Sequence, residues 1–281
     1  MEKRTLTAGQ ARAFAKHLRR EERAEATVEK YVRDTEAFMA WQSHKGVTKE
    51  SVLAWRERLL ETGLSPVTVN AKLSALNSLL QFLGWEDCRV KFLKVQRRAF
   101  RESSKELSRE EFGRLLETAR NQGRERLELL LETICATGIR VSEIRHITVE
   151  TAGRGMAEVR MKGKIRVILL PPKLCRKLLK YAKKQKTATG EIFLTSSGKG
   201  LSRKQIWREM KSLCEKARVE PSKVFPHNLR HLFATLFYRA CRDIVKLADV
   251  LGHSSIETTR IYLLSTGAEH ARWLGSLGVV R

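Results

Sequence analysis

The chain has 281 residues, room for two domains of ordinary size, and 42% of them are hydrophobic. Its 55 Lys and Arg against 31 Asp and Glu give a formal charge of +24, spread over both the first hundred residues and the remainder. That excludes a neutral domain with a charged tail and points to a polyanionic partner, nucleic acid first.

The five cysteines, Cys88, Cys135, Cys175, Cys214 and Cys241, are odd in number and form no CxxC pair. Neither a disulfide frame nor a zinc site is expected from them, and buried reduced thiols are. The first residues lack an apolar signal core, and no run approaches the ~18 apolar residues of a spanning helix. A soluble, cytoplasmic protein is the expectation.

From Thr7 to about Leu93 the pattern is helical. Gln10 to Arg20 carries Phe14 and Leu18 at helical spacing. Thr27 reads as the N-cap of a second helix, whose apolar stripe is Val28, Tyr31, Val32, Thr35, Phe38, Met39 and Trp41. Thr48 to Ser51 begins a third, burying Val52, Trp55, Leu59 and Leu60. Ser65 caps a fourth, with Pro66 at its first position and Leu73, Leu76, Leu79 and Leu80 on its apolar face. The periodicity then fades into a stretch with Lys94, Arg97, Arg98, Arg101 and Lys105, a basic linker that either tracks a phosphate backbone or is simply solvated. The expected division is a helical domain over 1–93, a linker over 94–105 and a second domain over 106–281.

Ser108 with Glu111 restarts the chain as a capping box. Helices follow over Phe112 to Ala119 and over Glu125 to Cys135, with a turn at Gly138 and a short helix from Arg140. Met156 to Met161 and Ile165 to Leu170 are strand-like and joined by Lys162-Gly163-Lys164, a hairpin signal. Ile147 to Val149 suggests a third strand. After Pro171-Pro172 a helix sets Leu174, Leu178, Tyr181 and Ala182 opposite a basic face, and another runs from Ser202 to Ala217 with Ile206, Met210 and Leu213 inside. Gly198-Lys199-Gly200 is hairpin-like in composition but lacks flanking strand patterns. Ala268 to Leu277 reads as a short amphipathic helix.

The chemistry concentrates between Phe225 and Leu264, where His227, Arg230, a second histidine at His253 and Tyr262 fall within forty residues. Each is weak evidence alone: a bare His-x-x-Arg also occurs at His17 to Arg20, on a helical face. Together, and with Arg140 and the lysine-bearing hairpin upstream, they form a resemblance. Ala136-Thr137-Gly138-Ile139-Arg140-Val141-Ser142-Glu143-Ile144 resembles the first arginine box of the tyrosine recombinases, the phage integrase and Xer family. His227-Asn228-Leu229-Arg230-His231 resembles the second box. Leu251-Gly252-His253-Ser254, with Tyr262 nine residues on, is similar to the third. Lys162-Gly163-Lys164-Ile165-Arg166 resembles the family's β-hairpin lysine, in a form one residue shorter than usual, and Thr27 to Phe38 and Thr68 to Leu83 resemble its core-site-binding helices.

The resemblance implies a mostly α fold with a small antiparallel β-sheet: a helical-bundle, SAM-like core-binding domain and an α+β catalytic domain. It implies a two-domain form without an added N-terminal arm-binding domain. The catalytic residues would be Arg140, Lys162, His227, Arg230, His253 and the nucleophile Tyr262, with Glu143 as support and Lys164 the rival to Lys162. No cofactor and no metal are expected, and neither a Walker motif nor an acidic two-metal cluster is present in the sequence. The implied partners are double-stranded DNA bearing recombination sites, three further protomers (identical, or from a related recombinase) and accessory bending or excision factors. Residues 266–281 would dock on a neighbouring subunit, the alternative being that they pack on their own domain.

These residue types suit metal-free phosphodiester cleavage. Two arginine forks match non-bridging oxygens, and a histidine adds a donor as charge grows there. A tyrosine phenol ionises near pH ~10, so forming the phenolate at neutral pH costs about 4 kcal/mol and calls for a base, the role given to His227 by family analogy. A type IB topoisomerase and a non-catalytic DNA-binding regulator of the same fold are the alternatives.

Overall fold

A computed structural model of the chain describes residues 4–43, 46–95, 105–161, 164–263, 272 and 274–277. It separates into two compact units, Met1–Arg97 and Arg98–Arg281.

Four helices form the first unit: α1 (Ala8–Arg20), α2 (Glu25–Gln42), α3 (Lys49–Glu61) and α4 (Pro66–Phe82). Thr7 with Gln10 and Thr48 with Ser51 close reciprocal capping boxes, and Ser65 caps α4 with Pro66 in its first turn. The start of α2 differs from the sequence expectation. Its N-cap is Ala24, which offers no side-chain bond, and Thr27 lies inside the first turn. Glu25 compensates there, lying at the positive end of the helix dipole and receiving Arg19 Nη2 at 2.5 Å. Phe14, Phe38, Val52, Trp55, Val69, Leu73, Leu76 and Leu80 make the core. Leu59 and Leu60 are only half-buried, and Trp41 stays 38% exposed, leaning on the Phe38 ring.

In the second unit, α5 (Arg109–Asn121), behind its Ser108–Glu111 capping box, packs on α6 (Glu125–Thr137). A 3-10 turn over Val141–His146 leads to α7 (Val149–Arg154), then β1 (Met156–Met161) and β2 (Lys164–Leu169). Next come α8 (Pro172–Lys184), α9 (Arg203–Lys211), α10 (Cys214–Ala217), α11 (Pro226–Cys241), α12 (Ile244–Leu251) and α13 (Ile256–Arg260), with a closing 3-10 turn over Ile261–Leu263. Leu130, Leu131 and Ile134 of α6 share one core with Leu229 and Leu232 of α11. That packing joins the two elements that carry the arginine boxes.

The strands pair antiparallel from Met156↔Leu169 to Met161↔Lys164. Ala157, Val159 and Ile168 point inward, while Ile165, Val167 and Leu169 are exposed, the period-2 pattern of a half-buried hairpin. Lys164 therefore belongs to β2 and not to the turn. Lys162 and Gly163 lie outside the described residues.

Three further expectations are corrected. Ile147 to Val149 is not a third strand: Thr148 makes an isolated bridge to Glu191, then caps α7 through a reciprocal bond with Thr151. The capping box wins over β-branched composition because it satisfies backbone N–H groups locally. The helix expected over Ser202 to Ala217 breaks at Ser212, whose hydroxyl bonds the Glu209 carbonyl and receives Arg124. Around Gly198-Lys199-Gly200 there is pairing after all, an isolated antiparallel bridge between Leu194 and Gly200.

Cys88, Cys135 and Cys214 are buried free thiols, as expected, Cys175 is half-buried and Cys241 is exposed. In the C-terminal segment Arg272 and residues 274–276 are helical, and Leu274 and Leu277 are each 65% exposed. The rest of 266–281 lies outside the described residues. Among the described residues no helix is long and apolar enough to cross a membrane.

Candidate active site

Arg230 is the centre of the site. It stands in the first turns of α11, which Pro226 opens after the extended Phe225. The side chain is 4% exposed, so its charge needs internal partners. It donates from Nη1 to the Gly138 carbonyl and from Nη2 to the Leu251 carbonyl at 2.7 Å. Those carbonyls lie at the C-terminal ends of α6 and α12, where helices leave acceptors unpaired and carry partial negative charge. Two helix ends thus hold one buried guanidinium. Gly138 has no alternative in this arrangement: its φ is +60°, and an added Cβ would lie 2.4 Å from the Phe233 ring.

Arg140 enters from the turn after Gly138 and is more open, its side chain 39% exposed. Its Nη1 donates to Glu143 Oε1 at 2.8 Å and its backbone N–H to Oε2 at 2.9 Å. Its Nη2 also reaches the Gly252 carbonyl. Glu143 itself is 1% exposed and takes a further donor, Arg166 Nη1 at 2.7 Å. Burial works to raise the Glu143 carboxyl, but the bonds from Arg140 and the charge of Arg166 outweigh it and hold it below its ordinary value. The expected supporting position of Glu143 is thus occupied in a definite way, between two arginines.

Arg166 is a site residue that motif reading quoted without assigning a role. It projects from β2, donates from Nη2 to the Val250 carbonyl at 2.8 Å and lies against Gly252, where a Cβ would meet its Cδ at 2.4 Å. Burial lowers its pKa to about 10, against the pull of Glu143. The side chain therefore ties the hairpin to the end of α12. The signal available in the sequence was an arginine at an inward register of the hairpin, opposite Val159.

Tyr262 is 3% exposed, on the 3-10 turn that follows α13. Three histidine rings converge on it: His231 edge-on at 5.0 Å between centroids, His253 stacked at 5.9 Å and 14°, and His227 at 6.5 Å. His253 Nε2 is 3.0 Å from Arg230 Nη2 and its Nδ1 is 2.9 Å from Thr259 Oγ1. Burial first, then Arg230, Arg140 and Arg166, push His253 down to about 4. Burial and Arg230 likewise hold His227 below its ordinary value. Both imidazoles are neutral at neutral pH. His231 also faces Glu106 at 3.7 Å. Neither His231 nor Thr259 was singled out as a candidate from sequence.

Arg140, His227, Arg230, His253 and Tyr262 are therefore brought together, with Glu143 beneath them. Lys162 lies outside the described residues, and the side chain of Lys164 is not described. Among the described residues no cluster of His, Cys, Asp and Glu could hold a metal ion.

Two family models match. Residues 105–269 match the phage integrase family, and 11–87 match the phage integrase N-terminal SAM-like domain. The chain belongs to the phage integrase family. The tyrosine recombinase XerA of Pyrococcus furiosus is 30% identical over 97% of this chain and 94% of that protein. Tyrosine recombinase XerD of Brucella suis biovar 1 is 33% identical over 85% and 86% of the two chains. Among solved structures, the XerH site-specific recombinase bound to palindromic difH substrate superposes with a TM-score of 0.72 at 20% identity, covering 97% of this chain and 84% of that one. The λ integrase (75–356) dimer bound to a COC′ core site gives 0.71 at 17% identity, over 94% and 96%. These two likenesses carry the fold. The family assignment carries the reaction class, that of a tyrosine-type site-specific DNA recombinase.

Proposed function

We propose that Tyr262 is the nucleophile toward a DNA phosphodiester. Its Oη attacks phosphorus, the P–O5′ bond breaks, and a 3′-phosphotyrosine and a 5′-hydroxyl result. Neutral His227 takes the phenolic proton and Lys162 supplies one to the departing 5′-oxygen. Arg140 and Arg230 hold the non-bridging oxygens, and His253 donates to them as charge grows. Glu143 fixes the direction of Arg140. One phosphodiester is exchanged for another, so rejoining by a 5′-hydroxyl from either DNA needs no external energy source.

The observation that carries this reading is the buried Tyr262 ringed by His227, His231 and His253 beside the buried Arg230 charge. A core tyrosine has no use for such surroundings; a phosphoryl acceptor does. The wider reading places core-site binding in 1–93, a basic linker in 94–105 and the chemistry in 106–281. It pairs two double-stranded sites in a tetramer, of identical protomers or with a related recombinase, and works through a Holliday junction in the cytoplasm with accessory DNA-bending or excision factors. The +24 charge supports the duplex partner.

The test is covalent capture. The full chain is incubated with fragmented genomic DNA, denatured, and the protein-linked DNA is sequenced and its attachment mapped. Linkage of a 3′-phosphate to Tyr262 at a recurrent site is expected, with none for Tyr262→Phe. Linkage that survives this substitution would remove Tyr262 from the role.

A further inference from the structure

The geometry points to Thr259 as a positioning residue that lets His253 change tautomer when a phosphate binds. This rests on the reading of Tyr262 and its surroundings given above. Arg230 Nη2 lies 3.0 Å from His253 Nε2. A guanidinium only donates, so while Arg230 faces it Nε2 accepts and carries no proton. The ring proton then sits on Nδ1 and is given to Thr259 Oγ1 at 2.9 Å. Thr259 is fully buried, on α13, three residues before the nucleophile.

A phosphate oxygen held by Arg230 is an acceptor only. For His253 to bond it, Nε2 must carry a proton, the reverse of its arrangement against Arg230. The neutral ring meets this by releasing the Nδ1 proton to water and taking one on Nε2 from water, with no net change in charge. Nδ1 then needs a donor in place of an acceptor. A hydroxyl serves both roles by rotating its proton, and Thr259 Oγ1 is the atom in place to do so. The alternative, an imidazolium donating from both nitrogens, is opposed first by burial and then by the charges of Arg230, Arg140 and Arg166. Because His253 stacks on Tyr262, the tautomer it adopts is set directly beside the phenol.

The experiment uses the full chain with ¹⁵N-labelled histidine, at pH 7, with orthovanadate as the phosphate probe. The free protein is expected to show His253 with Nδ1 protonated, and the vanadate-bound protein with Nε2 protonated. An Nε2-protonated ring in the free protein, an imidazolium with vanadate, or an unchanged His253 while other histidine lines shift each overturns the proposal. Vanadate that moves no histidine line counts against the site reading itself.

A second arm uses the DNA recovered by covalent capture. Thr259→Val keeps shape without the hydroxyl and is expected to slow single-turnover cleavage at least tenfold with unchanged DNA affinity. Thr259→Ser is expected to restore the rate to within about threefold of the parent, following the hydrogen-bonding inventory of a hydroxyl. A Thr259→Val protein that links DNA through Tyr262 at the parental rate sinks the tautomer role while leaving the nucleophile intact. Absence of any Tyr262 adduct in the parent sinks the site reading instead.

Discussion

Glu143 receives Arg140 on one carboxylate oxygen and Arg166 on the other, at 2.8 and 2.7 Å. The carboxylate is 1% exposed and the Arg166 side chain 9%, so neither charge has water to fall back on. One side chain therefore supports both the open arginine of the site and the strand that leads from the lysine hairpin.

Removing that carboxylate strands a buried guanidinium. Glu143→Ala is expected to lose about 3–5 kcal/mol of stability, the usual cost of breaking a buried pair from one side. Urea denaturation measures it. Because the folded-state carboxyl lies below its ordinary value, its contribution is present above the unfolded carboxylate range near pH ~4.3 and is lost as pH falls through the folded value. The mutant's stability should accordingly depend less on pH at the acid end.

The histidines predict pH behaviour of their own. Both His227 and His253 are depressed, so the unfolded chain, with histidines near ~6.5, binds protons first as pH drops. Stability should fall from about pH 6.5 toward the folded value of His253 at about 4. His253→Gln should flatten part of that slope in denaturation curves taken across the range. The acid limb of single-turnover cleavage should lie below pH ~6.5, since His227 keeps its lone pair there. A limb at or above that pH would contradict the role of His227 as base.

Gly138→Ala puts a methyl group into the Phe233 ring at a positive φ. Left-handed strain and overpacking together predict a loss of about 2–5 kcal/mol. The Gly138 carbonyl also anchors Arg230, so cleavage should fall further than stability explains. Adding Phe233→Leu should recover part of the stability, measured by the same urea titration.

DNA affinity should fall steeply with salt. Neutralising several phosphates predicts a loss on the order of ~10³-fold between 50 and 200 mM salt. Filter binding or anisotropy at a series of salt concentrations gives the slope. A flat response is incompatible with a basic DNA-binding surface.

Much of this molecule is legible in its sequence, for reasons that are local. Thr48, Ser65 and Ser108 announce helix starts because a capping bond spans only three residues. The apolar faces of α4, α6 and α8 follow from a 3.6-residue period. Ala24 escaped notice because α2 begins without a side-chain cap, and α7 because a short helix behind β-branched residues looks like a strand.

The sequence by itself determined the helical bundle, the hairpin, the net charge and the set of residue types that a phosphodiester reaction needs. Tertiary structure alone decided how they are paired. Arg230 finds its acceptors at Gly138 and Leu251 because α6 and α12 both pack on α11 and leave two helix ends pointing at one place. Arg166 of β2 likewise meets Glu143 across 23 residues of chain. Caps and periodicities are contacts among near neighbours in the chain. The partner of a buried charge is whichever unpaired group the fold brings to it, and no spacing along the sequence records that.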